Sequence, residues 1–249
     1  MNIAVCINQV PDTASRVEVR DGAIEGGYLN MVLNPYDEYA VEEALRVRER
    51  QENTVVTVFS AGEKGRYDVL RKALAMGADH ACLVEGGSSN DSRSVAASLS
   101  KAIRSCYEGL PDLVFCGRES ADCNRAQVPV MLAEMLGMAV LTAVSKLSME
   151  NGAFRAWREI EGGMEEYLLF KPSVISVEKG LNVPRKTNIK AVMKARKQSI
   201  VHLDGSVDNQ QGVQYLDLFP VSRERKCRFA QTAEELARLL HEEGRVVGQ

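Results

Sequence analysis

The stretch "CGRESADCNRAQVPVMLAEMLG", residues 116–137, leaves an apolar run, crosses small and polar residues and enters a helical pattern. That layout is a strand, a loop and a helix N-terminus, where free amides and the helix dipole favour an anion. Gly117 lets the backbone turn and approach a ligand. Ser120, Asp122 and Asn124 offer polar atoms, and Gln127 can donate to a phosphate or ribose oxygen. Arg125 adds a cation, and the amides around residues 124–127 can hold a phosphate. A loop and helix cap with no ligand suits the same residues, and the stretch by itself supports both readings.

Other chemistry finds less support. No GxGxxG follows a strand and no GxxxxGK[ST] occurs, so neither a dinucleotide fingerprint nor a P-loop is present. His80, His202 and His241 are scattered and read as surface or loop residues. The carboxylate pairs Glu42-Glu43 and Glu165-Glu166 read as solvated faces, and no Ser-His-Asp or Cys-His set assembles. The six cysteines form no CxxC and give no metal site. Cys6, Cys82 and Cys116 lie in apolar runs and read as buried, reduced thiols of a cytoplasmic protein. Cys116 and Cys123 flank the loop, where a redox pair is the alternative. No catalytic residue and no metal ligand is assigned.

The positioning elements follow from periodicity. "IAVCINQV", "TVVTVFSAG", "HACLVEG" and "PDLVFCG" read as buried strands. "NPYDEYAVEEALRVRER" reads as a helix, with Asn34 as cap, Pro35 in the first turn and Asp37 and Glu38 at the positive end. "KGRYDVLRKALAMGAD", "SRSVAASLSKAIRSCYEG" and "RAQVPVMLAEMLG" read as further helices, Pro129 falling in a first turn. The alternation predicts an α/β fold: a parallel sheet with helices on both faces, whose ligands sit beyond the strand C-termini at the switch point. After about residue 140 the pattern turns antiparallel. "NGAFRAWREIEGGMEEYLLFKPSVISVEKG" reads as two strands around a turn and a strand after Pro172, with Asn151-Gly152 and Gly162-Gly163 as turn dipeptides. Earlier in the chain a turn falls at Asp21-Gly22, followed by a Gly26-Gly27 pair, and "NIKAVMKARKQSI" reads as a short basic helix. The polar residues 203–228, with Gly205, Gly212 and Pro220, read as an extended arm before a helix capped by Thr232 with Glu235 three residues later.

At 249 residues the chain suits one α/β domain with an extension, and 45% hydrophobic with 26% charged residues is ordinary for a soluble globular protein. The net charge of −3 gives no reason to expect nucleic acid or an anionic membrane as a partner. No apolar run reaches membrane-spanning length, and "MNIAVCINQVPDT" reads as a first strand rather than a signal peptide.

Several blocks together resemble one family, the beta (small) subunits of electron transfer flavoproteins, FixA-type proteins. "IAVCINQVPDT" opens the resemblance, which runs to about Lys197. "NPYDEYAVEEAL" resembles the family's N-P-x-x-E-x-A-V-E-E-A segment, and "ALAMGAD" matches a family phrase. Residues 116–137 resemble its nucleotide loop. "REIEGGMEE" with "KPSVISV", then "GLNVPRKTNIKAVMKARKQ", follow in family order.

The resemblance implies an adenine-nucleotide-binding, Rossmann-like domain over residues 1–200, including the hairpin and a partner-recognition segment. Residues 201–249 would form an arm and helix wrapping a larger alpha subunit that carries redox-active FAD. In the simple carriers the small subunit holds AMP structurally; in electron-bifurcating relatives the same pocket holds a second FAD reduced by NADH. Nucleotide contacts carry over to Cys6, to Asn34, Pro35, Tyr36 and Asp37, and to Ala61. In the loop they carry over to Gly117, Arg118, Glu119, Ser120, Ala121 and Asp122, then Cys123, Asn124, Arg125, Ala126, Gln127 and Val128. An exposed aliphatic anchor that docks acyl-CoA dehydrogenases falls on Ile189, which otherwise reads as the core face of a short helix.

The chain departs from the family at Glu119, Cys123, Asn124, Arg125 and Pro129 in the loop, and at Asn8, Tyr167 and Ser176 elsewhere. Less acid and an added Arg125 suit a diphosphate; the same arginine can also fill the space a flavin ring needs. "NPYDEYAVEEAL" and "REIEGGMEE" favour a cytoplasmic carrier serving fatty acid oxidation, with acyl-CoA dehydrogenases and a membrane quinone-linked oxidoreductase as partners. "QVPDT" and "AQV" favour the bifurcating reading, and the parallel-sheet pattern alone would also suit a stand-alone nucleotide-binding α/β protein.

Overall fold

The computed structural model describes residues 1–25, 29–86, 91–150, 153–207, 213, 216–220 and 227–244. The Gly26-Gly27 pair, the Asn151-Gly152 turn and Gly212 lie outside the described residues. The four apolar runs read from the sequence become β1 (Asn2–Cys6), β6 (Val55–Ala61), β7 (His80–Glu85) and β8 (Leu113–Gly117). Short pairings lie between β1 and β6. There β2 (Gln9–Pro11) meets β5 (Met31–Leu33), and β3 (Val19–Arg20) meets β4 (Ala23–Ile24).

Beyond β8 come β9 (Ala139–Glu150), β10 (Ala153–Ile160), β11 (Gly163–Leu169), β12 (Ser173–Val177) and β13 (Val201–Asp204). One nine-stranded sheet results, in the order β11-β10-β9-β12-β8-β1-β6-β7-β13. From β9 to β13 every pairing is parallel, and β10 and β11 extend the sheet antiparallel beyond β9. The direction of strand addition reverses at β1, because β6 and β7 follow on one side and β8 lies on the other.

The central strands are buried on both faces, so alternate residues feed two cores. Ile3, Val5, Val56 and Phe115 face α1 (Pro35–Arg50), α2 (Tyr67–Met76) and Ala195 of α5 (Ile189–Lys197). Ala4, Cys6, Phe59 and Val114 face α3 (Ser92–Cys106) and α4 (Val128–Leu136). The helix α6 (Ala233–Glu242) is capped by Thr232 as expected, its hydroxyl accepting the Glu235 amide at 3.2 Å, while Glu235 Oε2 reaches back to the Gln231 amide at 2.8 Å.

Two strands of the nine-stranded sheet go beyond the sequence reading. β9 was seen there only as a change of pattern, and β13 occupies the first residues of the segment assigned to the arm. A β-bulge interrupts the pairing of β9 with β12 near Ile175, and Ala143 nearby takes a left-handed φ of 55°. Ser176 accepts the Ala143 amide at 2.9 Å, which gives that departure from the family pattern a structural role. Tyr167, another departure, donates to Glu165 at 2.6 Å, and Glu165 also pairs with Arg158.

Glu42 and Glu43 correct the reading of a solvated face: they are only 4% and 3% exposed. Glu42 accepts the Arg185 amide at 3.0 Å and its guanidinium at 2.8 and 3.1 Å. Glu43 accepts Asn182 Nδ2 at 2.9 Å, and the same amide group donates to Tyr39 O. The segment leading to α5 is therefore fastened to α1 by buried carboxylates. Burial pushes Glu42 up, but its bonds to Arg185 and the charge there, with Arg46, outweigh it and hold the carboxyl below the ordinary glutamate range. A depressed folded pKa stabilises above the unfolded value, about pH 4, and the contribution is lost as pH falls through the folded value. Glu42→Ala is expected to cost about 1–3 kcal/mol at neutral pH. In denaturant melts the gap to wild type should close below about pH 4.

Candidate functional site

At the reversal point the N-terminus of α1 reaches the carboxyl ends of β1 and β8. Asp37, buried in the first turn of α1, accepts the Asn8 amide at 2.7 Å and the Gly117 amide at 3.0 Å. Gly117 earns its place by close approach, not by the turn expected from sequence. Its φ lies outside the left-handed region, and a Cβ there would fall on Asp37 Oδ1 and within 2.7 Å of Tyr36 Cβ.

Asn34 occupies the N-cap position of α1, yet its side chain makes no capping bond. It crosses to the loop instead, donating to Glu119 O at 2.9 Å and accepting the Ala121 amide at 3.1 Å. Asn124 and Ala126 take left-handed φ values of 50° and 54°, so the strain in this loop sits on non-glycine residues.

These contacts bound an open cleft, about 840 Å³ of atom-free space when its mouth is included. Cys6, Asn34, Asp37 and Ala61 line it, as do Gly117, Glu119 and Ser120. The far side of the loop adds Asp122, Cys123, Arg125, Ala126, Gln127 and Val128. Of the other residues expected at the site, Pro35 begins α1, and Tyr36 packs beside Gly117. Arg118 turns to Glu178 at 2.6 Å, and Ala121 and Asn124 contribute backbone geometry. Ile189 lies elsewhere, 84% exposed as the first residue of α5, which excludes it from the core face of that helix.

The cleft also gathers residues the sequence did not single out as ligand groups, among them Asn8, Ser92, Val95 and Arg66. Asn8 Nδ2 donates to Ser120 Oγ at 3.4 Å, and Asn8 Oδ1 accepts from Arg66. Nothing in "EKGR" distinguishes Arg66 from a surface cation; only the fastening of that turn to Asn8 and Gln9 brings it inward.

Cys6 and Cys116 occupy matching positions of adjacent strands at the cleft floor, both buried and free. The hydrogen bond with Cys6 and burial push the Cys116 thiol up, which disfavours a thiolate nucleophile. Cys123 is also free, and burial beside Asp122 pushes it up. His202 stands on the edge strand β13 between Glu85 and Tyr67, away from the cleft. Among the described residues no His, Cys, Asp and Glu side chains cluster to hold a metal ion.

An α/β sheet with a cleft at its switch point, walled by a strand–loop–helix corner, defines a protein of the doubly wound α/β class. The electron transfer flavoprotein domain family matches residues 23–207. The chain is 33% identical to the electron transfer flavoprotein subunit beta of Bradyrhizobium diazoefficiens, over 98% of this chain and 99% of the relative. It is 33% identical to that of Syntrophomonas wolfei over 80% of this chain and 78% of the relative. With that of Thermoanaerobacterium thermosaccharolyticum it shares 37%, over 78% and 75%. The chain belongs to the electron transfer flavoprotein beta-subunit family. Its members are electron-transfer proteins, and membership implies association with an alpha subunit. No helix among the described residues is long and apolar enough to cross a membrane.

Gly117→Ala is expected to cost about 1–3 kcal/mol, because the added methyl must displace α1 from β8. A chemical denaturation curve indistinguishable from wild type would contradict that contact. Burial pushes the Asp37 carboxyl up to about 7, against the pull of the Asn8 amide, Asn34, the Gly117 amide and Arg66. A folded pKa above the unfolded one favours folding below about pH 4, and the advantage is lost as pH rises through about 7. The stability of wild type relative to Asp37→Asn should therefore fall between about pH 4 and pH 8. No fall over that range, with the change confined below about pH 4, would mean that the amide bonds, not burial, dominate this carboxyl.

Proposed function

We propose that this chain is the small subunit of a heterodimeric electron carrier, in which it binds AMP as a structural ligand and docks electron-donating partners. The observation that carries the reading is the cleft itself. It lies at the switch point and is walled by a loop and helix start built from small and polar groups. Electron transfer would run through FAD in the alpha subunit, with this subunit as base and docking site. The arm supports a wrapped partner: Leu216, Phe219 and Phe229 are exposed, and α6 carries Leu236 and Leu240 on its surface. Acyl-CoA dehydrogenases in fatty acid oxidation are the proposed donors, and a membrane quinone-linked oxidoreductase the proposed acceptor.

Exposed Ile189 supports the docking role, because Asn188 caps α5 by accepting the Ala191 amide at 2.8 Å and the Glu42–Arg185 anchor holds the preceding segment. A second reading, an FAD-binding bifurcating subunit, is favoured by Arg66 and Arg125, two cations lining the cleft that suit a pyrophosphate.

Purifying the heterodimer and quantifying released nucleotides tests the choice. One FAD with one AMP, and no reduction by NADH, is the expected result. Two FAD per heterodimer reduced by NADH would replace it with the bifurcating reading. Ile189→Ala is expected to lower the second-order rate of reduction by a cognate acyl-CoA dehydrogenase by about tenfold or more, the scale of one buried aliphatic anchor. Its FAD content should be unchanged, and an unaltered rate with every candidate dehydrogenase would remove the anchor.

A further inference from the structure

We propose that Arg66 is a phosphate receptor of the cleft, binding the adenine nucleotide through its guanidinium; this role rests on the nucleotide reading above. Arg66 closes the short 3-10 turn Lys64–Arg66 after β6. Two fastenings set its course. Gln9 Nε2 donates to Gly65 O at 3.0 Å, pinning the backbone beside it. The side chain then lies across Gly62, where a Cβ would come within 2.5 Å of its Nε and 3.2 Å of its Cζ, and where φ is +143°. The position is thus built to lay a guanidinium along the cleft wall.

What the guanidinium lacks is acceptors. It carries five N–H donors. Among the described residues its one side-chain acceptor is Asn8 Oδ1, a neutral group, and no carboxylate pairs with it. Asp122 and Asp37 act on it only through space, and Asp37 already accepts two backbone amides. Burial lowers the Arg66 pKa, the direction expected for a cation withdrawn from water without a bonded counter-ion.

A structural strut would be expected to spend its donors on protein carbonyls, as Arg71 does on Ala195 O and Arg196 O. Arg66 instead keeps a planar fork beside the cleft that the first turn of α4 also faces. A phosphate supplies the missing oxygens in a geometry that matches the fork. A phosphate next to the ribose and a second phosphate beyond it share this chemistry.

Titration of a nucleotide-free heterodimer with adenosine, AMP and ADP separates the cases. Arg66→Gln is expected to weaken AMP, ADP or both by about tenfold or more while changing adenosine by less than about twofold. Arg66→Lys, which keeps the charge but not the fork, should fall between. Loss with AMP assigns the contact to the phosphate nearest the ribose; loss with ADP alone assigns it to the second. Equal losses for all three ligands, adenosine included, or no loss, would overturn the role of Arg66. A wild-type heterodimer that binds none of the three would overturn the nucleotide reading itself.

Discussion

One buried carboxylate joins the parts of this molecule that must meet. Asp37 bonds the amides that follow β1 and end β8, strands brought side by side by the reversal in strand order. An amide at a strand end needs an acceptor once it is buried. Supplying it from the first turn of α1 fixes the helix against both strands at once. The absence of a side chain at Gly117 is the counterpart of that contact, since the space a methyl would take is already filled by Asp37 and Tyr36. The cleft is what remains between this junction and the loop that leads to α4.

The same helix then reaches in the other direction. Its second and third turns present Glu42 and Glu43 to Arg185 and Asn182. One end of α1 thus shapes the cleft and its middle fixes the segment that carries Ile189. Its carboxylates respond to pH in opposite senses because Asp37 meets neutral amides in a dry site, whereas Glu42 meets a guanidinium. The cleft and the segment that carries Ile189 therefore share one support, which is what the proposed carrier role would require of both.

Much of this was legible from local sequence, for identifiable reasons. Strands buried on both faces appear as apolar runs, so β1, β6, β7 and β8 were readable, and Asn34-Pro35 marks the start of α1. The turn at Gly162-Gly163 marked the hairpin of β10 and β11. Features set by distant partners were not legible. Glu42 looks like any helix-surface acid until Arg185 arrives from more than a hundred residues away. Asn34 has the residue type of a cap, but its side chain is taken by the loop at Glu119 and Ala121. Arg66 sits in a polar turn and becomes a cleft residue only through Asn8 and Gly62. β13 is a short edge strand with exposed side chains, so it has no apolar run to betray it.

The central claim is that the Asp37 junction is built in advance and that the adjoining loop completes itself around an adenine nucleotide. Amide hydrogen exchange on the heterodimer, with and without AMP, tests both halves together. The Asn8 and Gly117 amides should be protected in either state, while the amides of Ala126, Gln127 and Val128 should slow only when AMP is present. A Gly117 amide that exchanges at loop rates, or a loop indifferent to AMP, would contradict the account.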